Sequence, residues 1–252
     1  MRRATVLNSI MFGLDPQSIV ARVNASGEPP PVPTQGGSLV RGTVGFTLVS
    51  LGGFAPWMLA GPGFNRAVGE LGLYAVCALV FVILSGPLLH RLIVGPGSLG
   101  RFYRVFTLAF LAYAVAWTVG WMTLGGHPGS IVGLLAGAIA MGLFLSFAFA
   151  ARGVAVKVIT ALFVANTVGY FIGGWAYGGL RAGADFNLLG IAFDRSAQAM
   201  LAKAAWGLFY GLGFGAGIGF AFHVCQAEAR RLLVGLNRSS ESSPADPQPP
   251  VT

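Results

Sequence analysis

Charge is missing from long stretches of this chain, and that absence constrains the fold more than any motif does. No Asp, Glu, Lys or Arg occurs between Arg104 and Arg152, from Gly42 to Asn65, from Leu71 to Leu89, from Val158 to Leu180 or from Ala204 to Ala227. Crossing the hydrocarbon of a bilayer takes about 20 apolar residues, so each gap is wide enough. The charges gather at the joints between gaps. The pattern predicts an all-α, multi-pass transmembrane helical bundle embedded in lipid.

Composition agrees. The chain is 252 residues long, 55% hydrophobic and 10% charged, with a mean hydropathy of +0.72. A soluble domain carries about 25% charged residues, so this chain lacks the charge to solvate a globular surface. The formal net charge of +8 has a membrane explanation, because Lys and Arg collect in cytoplasmic loops beside anionic lipid. The bases do not form one polar face, which argues against nucleic acid as a partner. The two cysteines, Cys77 and Cys225, fall in or at the end of apolar segments and read as buried thiols rather than a disulfide framework.

Three segments follow. Residues 1–40 are amphipathic to polar and end in a Pro/Gly linker, Pro29 to Gly37. Within them Val6, Ile10, Met11 and Leu14 keep helical spacing, as in a helix lying on the membrane. Residues 41–228 hold six spans, at about 43–62, 71–94, 103–124, 130–151, 154–177 and 199–224. Residues 229–252 form a cytoplasmic tail, Ser/Pro-rich from Asn237 onward and expected to be disordered.

Orientation follows from the bases. With both termini inside, twelve of the 16 Lys and Arg fall on the inner side, and Arg66, Arg181, Arg195 and Lys203 on the outer. The positive-inside bias therefore favours cytoplasmic termini and a cell-membrane location. Trp57, Trp117, Trp121, Trp175 and Trp206 all fall in the outer halves of their spans, as an interfacial aromatic belt requires. A weak internal echo accompanies this. Trp57, Trp121 and Trp175 each precede a glycine by four residues at the exits of the odd-numbered spans, a grammar that three repeated helical hairpins would produce.

The sixth span is the most patterned. Gly207, Gly211, Gly215 and Gly219 recur every four residues, and Gly213 with Gly217 makes a second stripe. Helices in lipid associate through close packing, which small residues permit. The spacing predicts a central sixth helix with two neighbours pressed against it, with Gly133 and Gly137 of the fourth span and Gly169 and Gly173 of the fifth as partner surfaces. Gly52-Gly53 before Pro56, and Gly86-Pro87, are expected to kink or end their helices.

Candidate chemistry is sparse. No charged residue lies near mid-bilayer, where ion pathways and proton relays place them. Asn166 and Thr167 are the strongest polar residues at that depth and the candidates for a polar path. His90 and His223 share the cytoplasmic level, where two imidazoles facing each other would suit a haem or metal; phosphate head groups are their plainer partners. His127 occupies a short outer turn. The longest outer loop, Arg181 to Gln198, has an apolar middle that fits an interfacial or re-entrant helix. G-x-S-x-G, P-loop and H-E-x-x-H patterns are absent, so no catalytic residue, metal or cofactor is assigned. The first expectation is a non-catalytic subunit or assembly factor of a membrane complex, partnered by another membrane protein or by a second copy. The alternative is a transporter or channel for a small neutral or amphipathic solute.

Overall fold

A backbone amide in lipid has no water to bond, so an apolar stretch closes its own hydrogen bonds as helix. The computed structural model describes residues 11–27, 32–59, 62–183, 187–188 and 191–241. In it six helices are long and apolar enough to cross a membrane: Gln35–Leu59, Arg66–Leu92, Ser98–Leu124, Gly126–Ala148, Arg152–Ala182 and Arg195–Cys225. The chain is a multi-pass helical bundle. Helix α1 (Pro16–Ser26) precedes the first span, which comprises α2 (Gln35–Gly53) and α3 (Ala55–Leu59). Spans two to six are α4 (Pro62–Leu89), α5 (Ser98–Leu124), α6 (Gly126–Ala148), α7 (Ala155–Ala182) and α8 (Arg195–Cys225), and α9 (Ala227–Glu241) follows.

The breaks are mostly where glycine and proline put them. Helix α2 stops at Gly53, and Pro56 enters the first turn of α3. The second span departs from expectation: α4 runs through Pro87 to Leu89, and its non-helical residue is Gly69, at φ 68°. That left-handed value suits glycine because it has no Cβ to clash. The outer loop also differs. In place of a re-entrant helix, β1 (Asn187–Leu188) and β2 (Ile191–Ala192) pair antiparallel, Leu188 opposite Ile191. A segment this short has too few turns to hold an isolated helix.

Consecutive spans pack as antiparallel neighbours, and the sixth returns to the first, so the six close into a ring. Glycine sets the tightest seams. A Cβ on Gly215 would lie 2.5 Å from the Gly42 carbonyl, and one on Gly211 2.6 Å from the Thr47 Cα. Gly219 meets the Ser38 carbonyl equally closely, and Gly207 faces Phe54. Those four residues therefore bed α8 on the first span. Gly213 beds it on the fifth, meeting Ala165 and Gly169; Gly217 meets Leu162 and Gly173 meets Trp206. Gly133 and Gly137 do something else. They lie against Trp117 and Tyr113 of the third span, so the second partner of α8 is the first span rather than the fourth. The first span offers Gly42, Ser38 and Thr47, small enough to admit a backbone.

Away from these seams, Val44, Leu48, Leu79, Ile83, Val115, Val119, Leu143 and Val168 point outward and are exposed, the surface a lipid-facing helix presents. Inside, one face of α5 carries an aromatic residue every turn: Phe102, Phe106, Phe110, Tyr113, Trp117 and Trp121. Phe102 and Phe106 stack at 5.0 Å, and Phe106 and Phe110 at 5.5 Å. With Phe46, Phe214 and Phe222 they fill the terminus half of the ring.

The terminus end is capped. Ile19 and Val23 of α1 pack against Ala229 and Leu233 of α9, with Val94 between them. Residues assigned from sequence to a disordered tail are thus helical to Glu241, because α9 offers an apolar stripe to α1; residues 242–252 lie outside the described residues, as do Val6 and Ile10. The segment joining spans two and three is clamped from both sides. Gln226 accepts from the Val94 amide at 2.9 Å and donates to the Leu92 carbonyl at 2.9 Å. Arg101, 2% exposed, places its Nη2 2.6–3.3 Å from the carbonyls of Val94, Gly95 and Pro96.

The glycine seams yield a direct test. Gly213→Ala forces a methyl into the fifth span's backbone and should lower stability in detergent by about 1–3 kcal/mol, as overpacking does. Gly178→Ala, which meets open space, should be neutral or slightly stabilising. Equal unfolding midpoints for the two variants in SDS titration would contradict the packing.

Candidate functional site

The aromatic stripe on α5 fills the ring only halfway. Beyond Phe110 the helices stand apart around a chamber of about 390 Å³ at the end opposite the termini. Its floor is Phe81, Phe110, Tyr113 and Tyr210, all buried. Its walls come from every span but the fourth: Phe54 and Trp57, Tyr74 and Cys77, Trp117 and Trp121, Tyr170 and Tyr177, and Trp206. Ala78 and Ala114 give the cavity its width. Glu70 stands at the exposed rim.

The walls brace one another. Trp117 and Trp121 stack with parallel planes, 6.1 Å between centroids. Tyr74 meets Trp117 edge-on, and Trp206 meets Tyr170 and Tyr177 the same way. Such pairs contribute about 0.5–1.5 kcal/mol each beyond their burial. The hydroxyls are also tethered. Tyr170 pairs with Ser130 at 3.1 Å and Tyr74 donates to Glu70 at 2.6 Å. The chamber is thus a preformed, largely apolar space with a few fixed polar points, the usual constitution of a small-molecule site.

Asn166 and Thr167 do not line this chamber. Asn166 is 1% exposed and stands behind the floor, donating to the Tyr113 hydroxyl at 2.6 Å. Its Oδ1 and the Thr167 Oγ1 have no partner among the described residues. Tyr113 comes between the Asn166 amide and the cavity. His90 and His223 sit at the terminus end and each bonds a serine, Ser98 at 2.8 Å and Ser38 at 3.3 Å. His127 stacks on Phe171. Among the described residues no three His, Cys, Asp or Glu gather as a metal site would need. Of the three Trp–glycine exits, Trp57 and Trp121 face the chamber, whereas Trp175 is 81% exposed on the outside.

Two bases lie against rings of the wall. Lys203 donates to the Trp57 carbonyl at 2.7 Å and lies 5.2 Å from that ring's centroid. Arg181 lies over Tyr177 at 5.5 Å and bonds its hydroxyl. Asp194 is committed elsewhere, capping α8 through the Ala197 amide. Glu70, Lys203 and Arg181 form no ion pair with one another; the one ion pair among the described residues is Glu228–Arg231. Comparison with protein-family models, curated proteins and solved structures finds no match to this chain.

The Asn166–Tyr113 bond should tie the floor to the fifth span. A double-mutant cycle between Tyr113→Phe and Asn166→Leu, read by SDS unfolding, should return a coupling of about 0.6 kcal/mol, the mean for such bonds in membrane bundles. Additive effects would place the tyrosine and the amide in separate environments.

Proposed function

We propose that this chain is a transporter for a small amphipathic solute, with the solute chamber open at the end opposite the termini. The carrying observation is the chamber: a ring of spans surrounds an aromatic space of about 390 Å³ that stops at a floor partway down the bundle. Below the floor stacked phenylalanines fill the ring, and the clamped segment with α1 and α9 covers the terminus end. One-ended access of this kind fits one state of an alternating-access carrier. The basic bias supports termini in the cytoplasm of a cell membrane, so the chamber opens outward. An apolar cavity of 150 Å³ takes a benzene, so a molecule of one or two rings matches the space. A purely structural subunit would leave the chamber without an occupant.

Four of the five tryptophans line the chamber, which makes intrinsic fluorescence its reporter. Titrating benzyl alcohol into detergent-purified protein should give a saturable emission change. Ala114→Phe, which fills the chamber, should abolish it, while Val115→Phe on the lipid face should not. Responses that are linear, or identical in all three proteins, would remove the binding reading. A stable complex with another membrane protein would then favour the subunit.

A further inference from the structure

The rim charges specify the solute more closely. Resting on the chamber as the binding site, we infer that its occupant is a zwitterionic aromatic amphiphile of the aromatic α-amino-acid class, with the ring inside and both charges at the rim. Among the described residues the one carboxylate lining the chamber is Glu70, on the second span, fixed on one oxygen by the Tyr74 hydroxyl. Among the described residues it has no ion-pair partner. On the fifth and sixth spans stand two bases, Arg181 and Lys203. They hold to Tyr177 and Trp57, two rings of the chamber wall that stack on each other at 5.8 Å. The chamber thus has an acid in its lining and two bases held on rings of its wall.

A cation alone would meet Glu70 but also two like charges, and an anion alone would face the reverse. A molecule with an ammonium and a carboxylate on one short head satisfies both walls, and its net charge is zero. Below the head, Trp117, Trp206 and Tyr170 offer ring faces and edges for an aromatic side chain. An ammonium beside Glu70 also gains from the neighbouring electron-rich rings of Tyr74 and Trp117. An aliphatic amino acid would leave the aromatic space incompletely filled.

The test uses three probes with one ring in common: L-phenylalanine, phenethylamine without the carboxylate, and 3-phenylpropionate without the ammonium. None of them absorbs where tryptophan is excited, and calorimetry gives an independent binding signal. L-Phenylalanine should bind the full-length protein about tenfold or more tighter than either partner, the worth of a charge-assisted hydrogen bond. Glu70→Gln should weaken phenylalanine and phenethylamine but leave phenylpropionate unchanged. Lys203→Met should weaken phenylalanine and phenylpropionate but leave phenethylamine unchanged. These crossed patterns separate a lost ligand contact from general damage, which would weaken all three probes together. If either single-charge probe equals or exceeds phenylalanine, or if the variants weaken all probes alike, the zwitterion assignment is wrong while the chamber remains a site. If no probe binds but benzyl alcohol does, the assignment fails in the same way; if benzyl alcohol also fails, the transporter reading falls with it.

Discussion

The bundle depends on backbone meeting backbone. Apolar burial does not hold helices together in lipid, since the tails are as apolar as leucine; close packing must do it. Here three seams are built that way: the first span on the sixth, the sixth on the fifth, and the third on the fourth through Gly120 and Gly133. The second span is mounted differently. Gly45, Gly52 and Gly53 of the first span receive Leu89, Leu84 and Phe81, and Gly86 receives the Tyr103 ring. Apart from the Leu88 carbonyl, which also meets Gly45, those contacts are side chain into notch, so the second span keeps more distance from its neighbours. The chamber opens beside it, lined by its Glu70, Leu73, Tyr74, Cys77, Ala78 and Phe81. Where glycines let helices touch, the ring is closed; where aromatics hold them apart, there is room for a guest.

The aromatic stripe on the third span performs two jobs along one helix face. At Phe102, Phe106 and Phe110 the rings stack and close the ring of spans. From Tyr113 to Trp121 the same face lines empty space. The change falls where Tyr113 meets Phe214 at 4.7 Å and is tied from behind by Asn166. A floor made of interlocked rings is rigid in one arrangement yet has few polar bonds to break in another. Passage of a solute would therefore rest on ring repacking about Phe81, Phe110 and Tyr210 rather than on rupture of a polar gate.

Much of this was legible in the sequence, and the reasons are physical. Charge gaps report lipid contact residue by residue, so the six spans and their approximate limits could be read directly. The four-residue glycine repeat in the sixth span reports close approach, but spacing on one helix does not say which neighbour fills the groove. Gly133 and Gly137 have the same local grammar and lie against the third span. The chamber was missed although its signal was present: aromatic residues at 102, 106, 110, 113, 117 and 121 occupy one face of a helix. Asn166 drew attention because polarity is scarce at that depth, whereas the wall itself is aromatic. The helix over residues 227–241 was hidden by the Ser/Pro-rich stretch that follows it, and its apolar stripe has meaning only once α1 lies beside it.

The emptiness of charge inside the bundle bears on the occupant as well as on the fold. Ionised groups are costly at mid-bilayer, so the protein keeps its own charges at the ends of its helices. The chamber follows the same rule: rings and one thiol deep inside, Glu70 at the rim, and Lys203 and Arg181 held on the wall rings Trp57 and Tyr177. A guest that sank its charges to the floor would meet the rings of Phe81 and Phe110 and only the hydroxyls of Tyr113 and Tyr210 in exchange for lost water. A guest with an apolar body and a charged head leaves the head where the protein leaves its own. The solvation constraint that divides this chain into spans thus also selects the shape and polarity of what the chamber can hold.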